Sequence, residues 1–423
     1  MRRLFANGDF TRLFAGRLVT NAGDSIYGVA AMWLVFSLTG STFYTGLAGM
    51  LTLGMQLLQA FVGPLVDRWP LRRTLVATQA AQGVLVLAIP LADHLGVLSV
   101  WVVLTVMPLV SLLNQFTYPA SSAALPRIVA DPEDLTGANS LFAMTYQGAE
   151  LVFNAAAGVL VALVGATALF LVDSVTFAAA VVLFAGIRVP PAEREAGDEA
   201  GYLAELVAGA RFLRGSPVVW VLGAAVVANG LLGAAWPVLP AFAAERGDAT
   251  LYGLLLSGLA GGTLVGSLLA TRFRDVPFGR LSVIGFGLSG VAWLAALLVP
   301  GTAATVALFA LAFVPVGVTN VVSMTLVQRL VPEAMLGRVL AVLGSGTTAA
   351  MPLGAFVGGV AGEAFGPVAV MYAGGVGFLW IVGYVLAVPA LRRMPAATAV
   401  EAPDAPADDP GTGPAPAAAT NAD

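Results

Sequence analysis

The sequence predicts an all-α integral membrane protein with twelve transmembrane helices in two pseudo-symmetric six-helix bundles. Three observations predict this fold. Long apolar runs recur along the chain, arginine concentrates at every second joint between them, and two sequence landmarks repeat after about 202 residues. The composition agrees, because 58% of the residues are apolar and only 10% are charged. A chain of this composition needs lipid to cover its surface.

Each apolar run is about long enough to cross roughly 30 Å of hydrocarbon as a helix. The first run does not have the features of a cleavable signal peptide, since it is too long and no small-residue cleavage site follows it. The twelve runs cover residues 14–38, 44–66, 74–92, 97–123, 135–163, 166–187, 216–243, 251–271, 281–299, 302–327, 335–361 and 367–389.

The basic residues show which side of the membrane each joint occupies. All 20 of them are arginine. Only Arg246 lies at a joint on one side, Arg17 lies about one turn inside the first run, and the others lie at joints on the opposite side. Basic residues accumulate on the cytoplasmic side of membrane proteins. We therefore expect a multi-pass protein of the plasma membrane with both termini in the cytoplasm.

The longest hydrophilic interruption divides the runs six and six. It begins PPAEREAGDEAG and ends in a stretch in which apolar and charged residues alternate at helical spacing. The predicted organisation is an N-terminal six-helix bundle, a cytoplasmic central loop with a short amphipathic helix, a C-terminal six-helix bundle and a disordered cytoplasmic tail. These parts cover residues 1–189, 190–215, 216–394 and 395–423.

The two halves of the chain repeat one another. GPLVDRWPLRR at 63–73 matches GSLLATRFRDVPFGR at 266–280, which gives Gly63 and Gly266 an offset of 203 in residue number. LPRIVADPEDLTGA at 125–138 matches VQRLVPEAMLGR at 327–338 at nearly the same offset. Two unrelated landmarks at one offset indicate a duplicated six-helix unit, which is the arrangement of many secondary transporters.

The loop after the second run resembles the signature G-x-L-a-D-R-x-G-R-R of the major facilitator superfamily. The matching residues are Gly63, Leu65, Asp67, Arg68, Arg72 and Arg73. Pro70 and Leu71 stand where that pattern has one glycine. The D-R-W-x-x-R-R spacing, together with NGDFTRLFAGRLVTNAGDSIYG and FTYPASSAALPRIV, is similar to the branch of macrolide-efflux proteins and enterobactin exporters.

The resemblance implies a twelve-helix transporter and, through the branch, an exporter. Two features of drug antiporters are missing. The fourth run has no arginine, and the fifth lacks the proline of the antiporter motif G-P-x-x-G-G. A related pattern at 352–359 lies instead in the eleventh run. Antiport therefore does not follow from the motifs alone.

The signature residues form a candidate cytoplasmic gate. Gly63 allows close helix approach, and Asp67 can accept backbone hydrogen bonds at a helix N-terminus and pair with Arg73. Such contacts must break when the cytoplasmic side opens. The alternative is that Asp67, Arg68, Arg72 and Arg73 only determine topology in a hydrated loop.

Three acids inside apolar runs are candidates for proton coupling, namely Asp24, Glu150 and Asp173. An ionisable group at the bilayer centre costs about 2.5–3.5 kcal/mol on insertion scales, so its presence there points to a function. Protonation removes that cost, which allows such an acid to load a proton on one side and release it on the other. The alternative is that each acid is a structural contact, with Asp24 neutralised by Arg17.

Helical spacing predicts which residues share a face with these acids. Arg17, Asn21, Asp24 and Gly28 fall on one face of the first run, and Gln147, Glu150 and Asn154 fall on one face of the fifth. The full set of candidates for a central cavity is Arg17, Asn21, Tyr27, Gln147, Asn154, Asn229 and Trp236. The alternative is that these side chains face lipid or pack against neighbouring helices.

Several classes of protein are excluded. No phosphate-binding G-x-x-x-x-G-K-S/T loop is possible without lysine, so the chain alone does not use ATP in that way. The sequence contains no recognisable catalytic Ser-His-Asp or metal cluster, and we expect neither an enzyme nor a cofactor. Its expected partners are a small-molecule substrate, protons and the lipid bilayer, with no nucleic acid, and it is expected to be a monomer.

The function predicted from the sequence is proton-coupled efflux of an amphiphilic small molecule of the drug, macrolide or siderophore type. Alternating access of a midplane cavity would carry it. The same fold permits a proton symporter or a uniporter that imports a small solute. A membrane sensor that transports nothing is the third alternative.

Overall fold

The computed structural model describes residues 2–59, 62, 66, 69–129, 131–190 and 202–400. In this part the chain forms helices and turns and no β-strand. The principal helices, labelled α1 to α12 in chain order, are Gly8–Thr39, Thr42–Gly54, Leu71–His94, Val100–Ile128, Pro132–Val164, Ala166–Ala185, Val218–Ala235, Ala249–Leu269, Phe278–Leu298, Thr302–Leu330, Glu333–Phe365 and Pro367–Ala387.

Shorter helices join or extend these elements. They are the α-helices Arg2–Ala6, Tyr202–Gly215, Leu239–Arg246 and Pro389–Arg392, and the 3-10 helices Met55–Leu58, Trp236–Val238, Ala270–Arg272 and Ala397–Ala399. The helix Tyr202–Gly215 lies where the sequence predicts a short amphipathic helix, and the central-loop residues 191–201 lie outside the described residues.

Eleven helices of the described part, all but α2, are long and apolar enough to cross a membrane. The predicted second span begins as α2 and continues through the 3-10 helix Met55–Leu58. Its end lies partly outside the described residues. The all-helical membrane fold is therefore confirmed, whereas the count of twelve spans stays a prediction.

Helix packing in the first half is repeated in the second. Helix α1 packs on α5 and α6 as α7 packs on α11 and α12, and α3 packs on α4 and α6 as α9 packs on α10 and α12. The halves meet through two further pairs that correspond in the same way, α2 with α11 and α8 with α5. Each helix of the first half therefore corresponds to the helix numbered six higher in the second half. This correspondence relates the packed pairs of the first half to those of the second, and it exchanges the two interface pairs.

Glycines at equivalent helix ends of the two halves show how far apart corresponding positions are in residue number. Gly40, which ends α1, and Gly247, which ends the helix after α7, have an offset of 207. Gly165 and Gly366, which separate α5 from α6 and α11 from α12, have an offset of 201 and φ of 82° and 86°. Such backbone favours glycine. The offset is not constant because the paired loops differ in length.

The two halves pack together at one end of the molecule and separate at the other. One hydrophobic cluster joins both halves and includes Val35, Phe170, Phe242 and Phe309. At the end where most arginines lie, the described residues form separate clusters, one around Phe10 in the first half and two in the second half around Leu326 and Val339. We call these the closed end and the arginine-rich end.

Hydrogen bonds between the halves reinforce the closed end. The Ser41 hydroxyl group, just before α2, donates to Glu363 Oε2 on α11 at 2.8 Å. The Thr42 hydroxyl group donates to the Gly359 carbonyl oxygen at 3.0 Å, and the Phe43 amide group donates to the same Glu363 oxygen at 3.4 Å. These bonds hold α2 against α11.

The C-terminal part of the described chain packs against the second half. Residues 395–400, assigned to a disordered tail, pack beside α9 instead. The Phe278 amide group at the start of α9 donates to the Pro395 carbonyl oxygen at 3.1 Å, and Ala397 is buried. This contact satisfies an N–H group that a helix start leaves without an intrahelical partner. Residues 401–423 lie outside the described residues.

Candidate functional site

A cavity of about 340 Å3 lies between the two halves. Helices α1, α2, α4 and α5 supply its walls on one side, and the 3-10 helix Trp236–Val238 and α8 supply the other. Its lining residues are Asn21, Asp24, Ser25, Tyr27, Gly28, Val29, Met32, Gly49, Thr52, Leu53, Met107, Val110, Ser111, Asn114, Tyr146, Glu150, Asn154, Trp236, Tyr252, Leu256, Leu259 and Ala260. We call it the central cavity.

Asp24 lies in the wall formed by α1, as the helical spacing predicts. The Asn114 side chain on α4 donates to Asp24 Oδ2 at 3.3 Å. Arg17 lies close enough to interact electrostatically with Asp24, yet no ion pair within 4 Å joins these two described residues. The carboxyl group of Asp24 therefore faces the cavity without direct neutralisation by Arg17.

Arg17 belongs to a polar cluster behind the cavity wall. It is 7% exposed, and its NH2 group donates to Asn21 Oδ1 at 3.1 Å. Asn21 in turn donates to the Thr145 hydroxyl oxygen on α5 at 3.3 Å. Asn21 lines the cavity, whereas Arg17 does not. Arg17 therefore positions Asn21 and contributes charge from outside the cavity.

Glu150 is the second acid of the cavity and lies on α5. It interacts with the hydroxyl group of Tyr146, one turn earlier on the same helix. Asn154, one turn later, also lines the cavity. The sequence predicted this stripe from the spacing alone. Gln147 belongs to the same stripe, and its side chain lies outside what the structure describes.

The second half contributes an apolar wall. Its lining residues are Trp236, Tyr252, Leu256, Leu259 and Ala260. Tyr252 stacks on Trp33 of α1, with 6.2 Å between the ring centroids. Among the described lining residues, the acids Asp24 and Glu150 both belong to the first half. The cavity therefore combines acidic groups on one wall with aromatic and aliphatic side chains on the other.

Asp173 lies elsewhere. It is 0% exposed, inside the first bundle, and the Thr176 hydroxyl group donates to its Oδ1 at 3.0 Å. Within the described part of the chain, its Oδ2 has no hydrogen-bond partner, and neither has the hydroxyl group of nearby Tyr27. Asp173 packs against Gly23 of α1. It lies behind α1 rather than in the central cavity.

The candidate gate is described only in part. Gly63, Asp67 and Arg68 lie outside the described residues. Arg72 and Arg73 are exposed in the first turn of α3, at the arginine-rich end. These two arginines therefore belong to a helix, and the part of the signature before residue 69 lies mostly outside the described residues.

The residues that line the central cavity differ in two respects from those predicted from the sequence. Asn229, expected in the central cavity, lines a separate cavity within the second half. Three residues that were not predicted as site residues, Thr52, Ser111 and Asn114, also line the central cavity. Asn114 could have been recognised as a candidate from the sequence, because a side-chain amide inside an apolar run is costly unless it is paired. Which face of α4 it occupies depends on how the helices pack.

The chemistry of the central cavity suits an organic cation that also carries apolar groups. Carboxylates attract positive charge strongly where water is scarce. Aromatic and aliphatic side chains accept the apolar part of such a molecule. The carboxyl groups can also take up protons, which would compete with a bound cation.

Comparison with known proteins identifies the family. The profile of the family described as "Transmembrane secretion effector" matches residues 4–410, nearly the whole chain. The chain belongs to the major facilitator superfamily. It is therefore a transporter and a multi-pass membrane protein, not an enzyme.

Individual members of the superfamily agree with this assignment. The chain is 28% identical over 373 residues to the multidrug efflux pump Tap of Mycolicibacterium fortuitum, covering 84% of this chain and 89% of Tap. It is 28% identical over 395 residues to the enterobactin exporter EntS of Shigella boydii, covering 89% of this chain and 90% of EntS. A mutant of the nucleoside transporter NupG has the same fold in its crystal structure, with a TM-score of 0.73, 12% identity, and coverage of 89% and 98%.

Proposed function

We propose that this chain exports amphiphilic small molecules, organic cations above all, in exchange for protons. The observation that carries the proposal is the division of the central cavity into an acidic wall and an apolar wall. The names of Tap and EntS, an efflux pump and an exporter, support the direction of transport. Drug-like and siderophore-like compounds both fall within this chemistry.

The arginine asymmetry supports the orientation. If the arginine-rich end is cytoplasmic, the chain is a plasma-membrane protein with both termini inside, and the described conformation opens toward the cytoplasm. Residues 1–189 and 216–394 then move as two bundles that rock about the central cavity in a monomer. Opening the other side requires the contacts of Ser41 and Thr42 with α11 to break.

Proton exchange follows from competition at the acids. In the cytoplasm-facing state, the carboxylates of Asp24 and Glu150 attract the cationic group of the substrate. After the bundles rock, protons from outside bind these oxygens and neutralise them, so the cation loses its counter-charge and leaves. The protonated carrier returns and releases the protons to the cytoplasm. Each cycle moves substrate out and protons in.

Everted membrane vesicles test the proposal directly, because their cytoplasmic face is outside. An acidic lumen should drive accumulation of ethidium, a cationic aromatic dye, in vesicles that contain the chain. Collapse of the pH gradient with nigericin should stop accumulation, and vesicles without the chain give the background. Dye movement out of such vesicles would indicate import, movement that ignores the pH gradient would indicate a uniporter, and no movement would contradict transport of this class of compound.

A further inference from the structure

A second cavity, of about 180 Å3, lies within the C-terminal half. Helices α7, α9, α10 and α12 enclose it. Its walls are mostly apolar and include the aromatic rings of Phe286, Trp293, Phe313 and Phe378. We call it the side pocket. Among the described residues, none lines both this pocket and the central cavity.

The repeat of the fold explains why this space is open in the second half. With the offset of 207 between the first helices of each half, Arg17 corresponds to Ala224 and Asn21 to Ala228. With the offset of 201, Asp173 corresponds to Gly374. In the first half these positions carry buried polar side chains, of which Asn21 also lines the central cavity. In the second half they carry methyl groups or hydrogen, and all three line the side pocket.

Contacts around these positions support the correspondence. Gly83 on α3 packs against Ser174 and Phe177 of α6. Gly290 on α9 and Gly375 on α12 are the counterparts of Gly83 and Ser174 by the same two offsets, and they also pack together. The two bundle interiors are therefore equivalent places in the fold, one polar, the other apolar and open.

The side pocket lies next to the central cavity. Leu232 and Ala235 of α7 line the side pocket, and the next residue, Trp236, lines the central cavity. Among the residues that line the side pocket, Asn320 on α10 is exposed, which places the mouth beside it. Its counterpart in the first half, Tyr118, is also exposed and interacts electrostatically with Arg17. Asn320 and Tyr118 therefore lie at equivalent exposed positions of α10 and α4.

The side pocket also contains an unused polar group. The Ser282 side chain is 1% exposed and lines the pocket, and its hydroxyl group has no hydrogen-bond partner among the described residues. A buried polar atom without a partner is costly. A ligand with one polar atom on an otherwise apolar group would satisfy it.

We propose that the side pocket binds the apolar part of the transported molecule while its cationic group lies near Asp24 and Glu150. This inference rests on the proposed function and extends it. The substrate class is then a cation joined to an alkyl or aromatic group small enough for the pocket. In this proposal the first half recognises the charge of the substrate, and the second half recognises the size of its apolar group.

The experiment measures binding of n-alkyltrimethylammonium ions, from butyl to octyl, to the purified full chain in lipid nanodiscs by titration calorimetry. Empty nanodiscs provide the correction for partition into lipid. In the wild type, affinity should rise about fourfold with each methylene group, as burial of one such group implies. Ala228→Leu fills the pocket, so the affinity ratio between successive chain lengths should fall nearly to one.

Two further variants keep the test decisive. Ala373→Leu makes the same change at an exposed position of α12 outside the pocket and should retain the wild-type increment. Ala225→Leu, at another lining position, replaces Ala228→Leu if that variant does not fold. Wild-type increments in the folded pocket-filling variants would overturn the proposal, as would an absence of saturable binding to the wild type. The calorimetric measurement applies no pH gradient. If the expected binding pattern is observed but proton-driven flux is absent, only the proposed function is contradicted.

Discussion

Gly46 of α2 and Gly359 of α11 bring the two halves of the transporter into backbone contact at the closed end. A Cβ atom on Gly46 would lie 2.6 Å from the Cα atom of Gly359. Gly158 of α5 and Gly253 of α8 form the equivalent contact, where a Cβ atom on Gly158 would lie 2.8 Å from the Cα atom of Gly253. Small residues, glycine above all, allow helix backbones to approach this closely. The repeated fold thus closes this end with two equivalent glycine pairs.

Gly46→Ala is predicted to shift the chain away from the described conformation. The added methyl group meets backbone atoms that cannot rotate away, and overpacking of this kind costs about 1–3 kcal/mol. The population of the closed-end state should therefore fall about 5- to 150-fold relative to the opposite state. Spin labels at Thr136 and Gln328, both exposed at the arginine-rich end, should move closer together in electron–electron distance measurements because that end closes.

Gly54→Ala is the control for this prediction. Gly54 lies on the same helix, and a Cβ atom there would meet no atom of the described residues within 4 Å. Its distance distribution should match that of the unsubstituted chain. An unchanged distribution in Gly46→Ala would show that the closed end tolerates the methyl group and that the glycine contact does not set the conformational balance.

These glycine pairs show where prediction from the sequence ends. The apolar runs and the repeat could both be read from composition and spacing, because the bilayer imposes length and polarity on each helix separately. Contact between Gly46 and Gly359 joins positions that are far apart in the sequence and belong to different halves. No local pattern encodes it, since it depends on how one bundle docks on the other.

Topology can be tested because the chain contains no cysteine. Single cysteines at position 95, after α3, and at position 275, before α9, are both exposed and lie at opposite ends of the molecule. A maleimide that cannot cross membranes should label position 95 in intact cells and position 275 only after the cells are opened. Labelling of position 275 from outside would reverse the orientation and, with it, the direction of transport.

The candidate gate predicts a separate effect. Asp67→Asn should lower the transport rate several-fold while leaving membrane insertion and ligand binding largely intact. A helix-terminus interaction of about 0.3–1 kcal/mol when exposed, and about 2 kcal/mol when partly buried, is enough to shift a conformational equilibrium to this extent. The measurement is initial flux in liposomes, with Asp275→Asn, an exposed acid in the corresponding loop of the second half, as the control. A wild-type rate in Asp67→Asn would leave Asp67 as a loop residue only.

The sequence predicted those parts of the candidate site that depend on the geometry of a single helix. Helical spacing placed Asn21 and Asp24 on one face of α1, and Glu150 and Asn154 on one face of α5, and all four line the central cavity. Asp173 could not be placed in this way. An acid inside an apolar run can face a cavity or a neighbouring helix, and the glycine at position 23 gives it room behind α1. The sequence alone does not determine which neighbouring helix packs against a given face of a helix.

The central claim is that a proton and a cation compete for the carboxyl groups of Asp24 and Glu150. Neutralising either acid should separate transport down a gradient from transport driven by protons. The most direct measurement compares proton-driven accumulation of ethidium in everted vesicles with exchange of ethidium at equal pH. Asp93→Asn, an exposed acid in the last turn of α3, is the control and should match the wild type in both assays.

For Asp24→Asn and Glu150→Gln, the predicted result is continued exchange, at higher ethidium concentration, with loss of proton-driven accumulation. A structural acid would instead lose expression or folding. If both single variants and the double variant keep full proton-driven accumulation, neither carboxyl group carries the proton. That result would contradict the mechanism proposed for the central cavity and transfer the coupling role to Asp173.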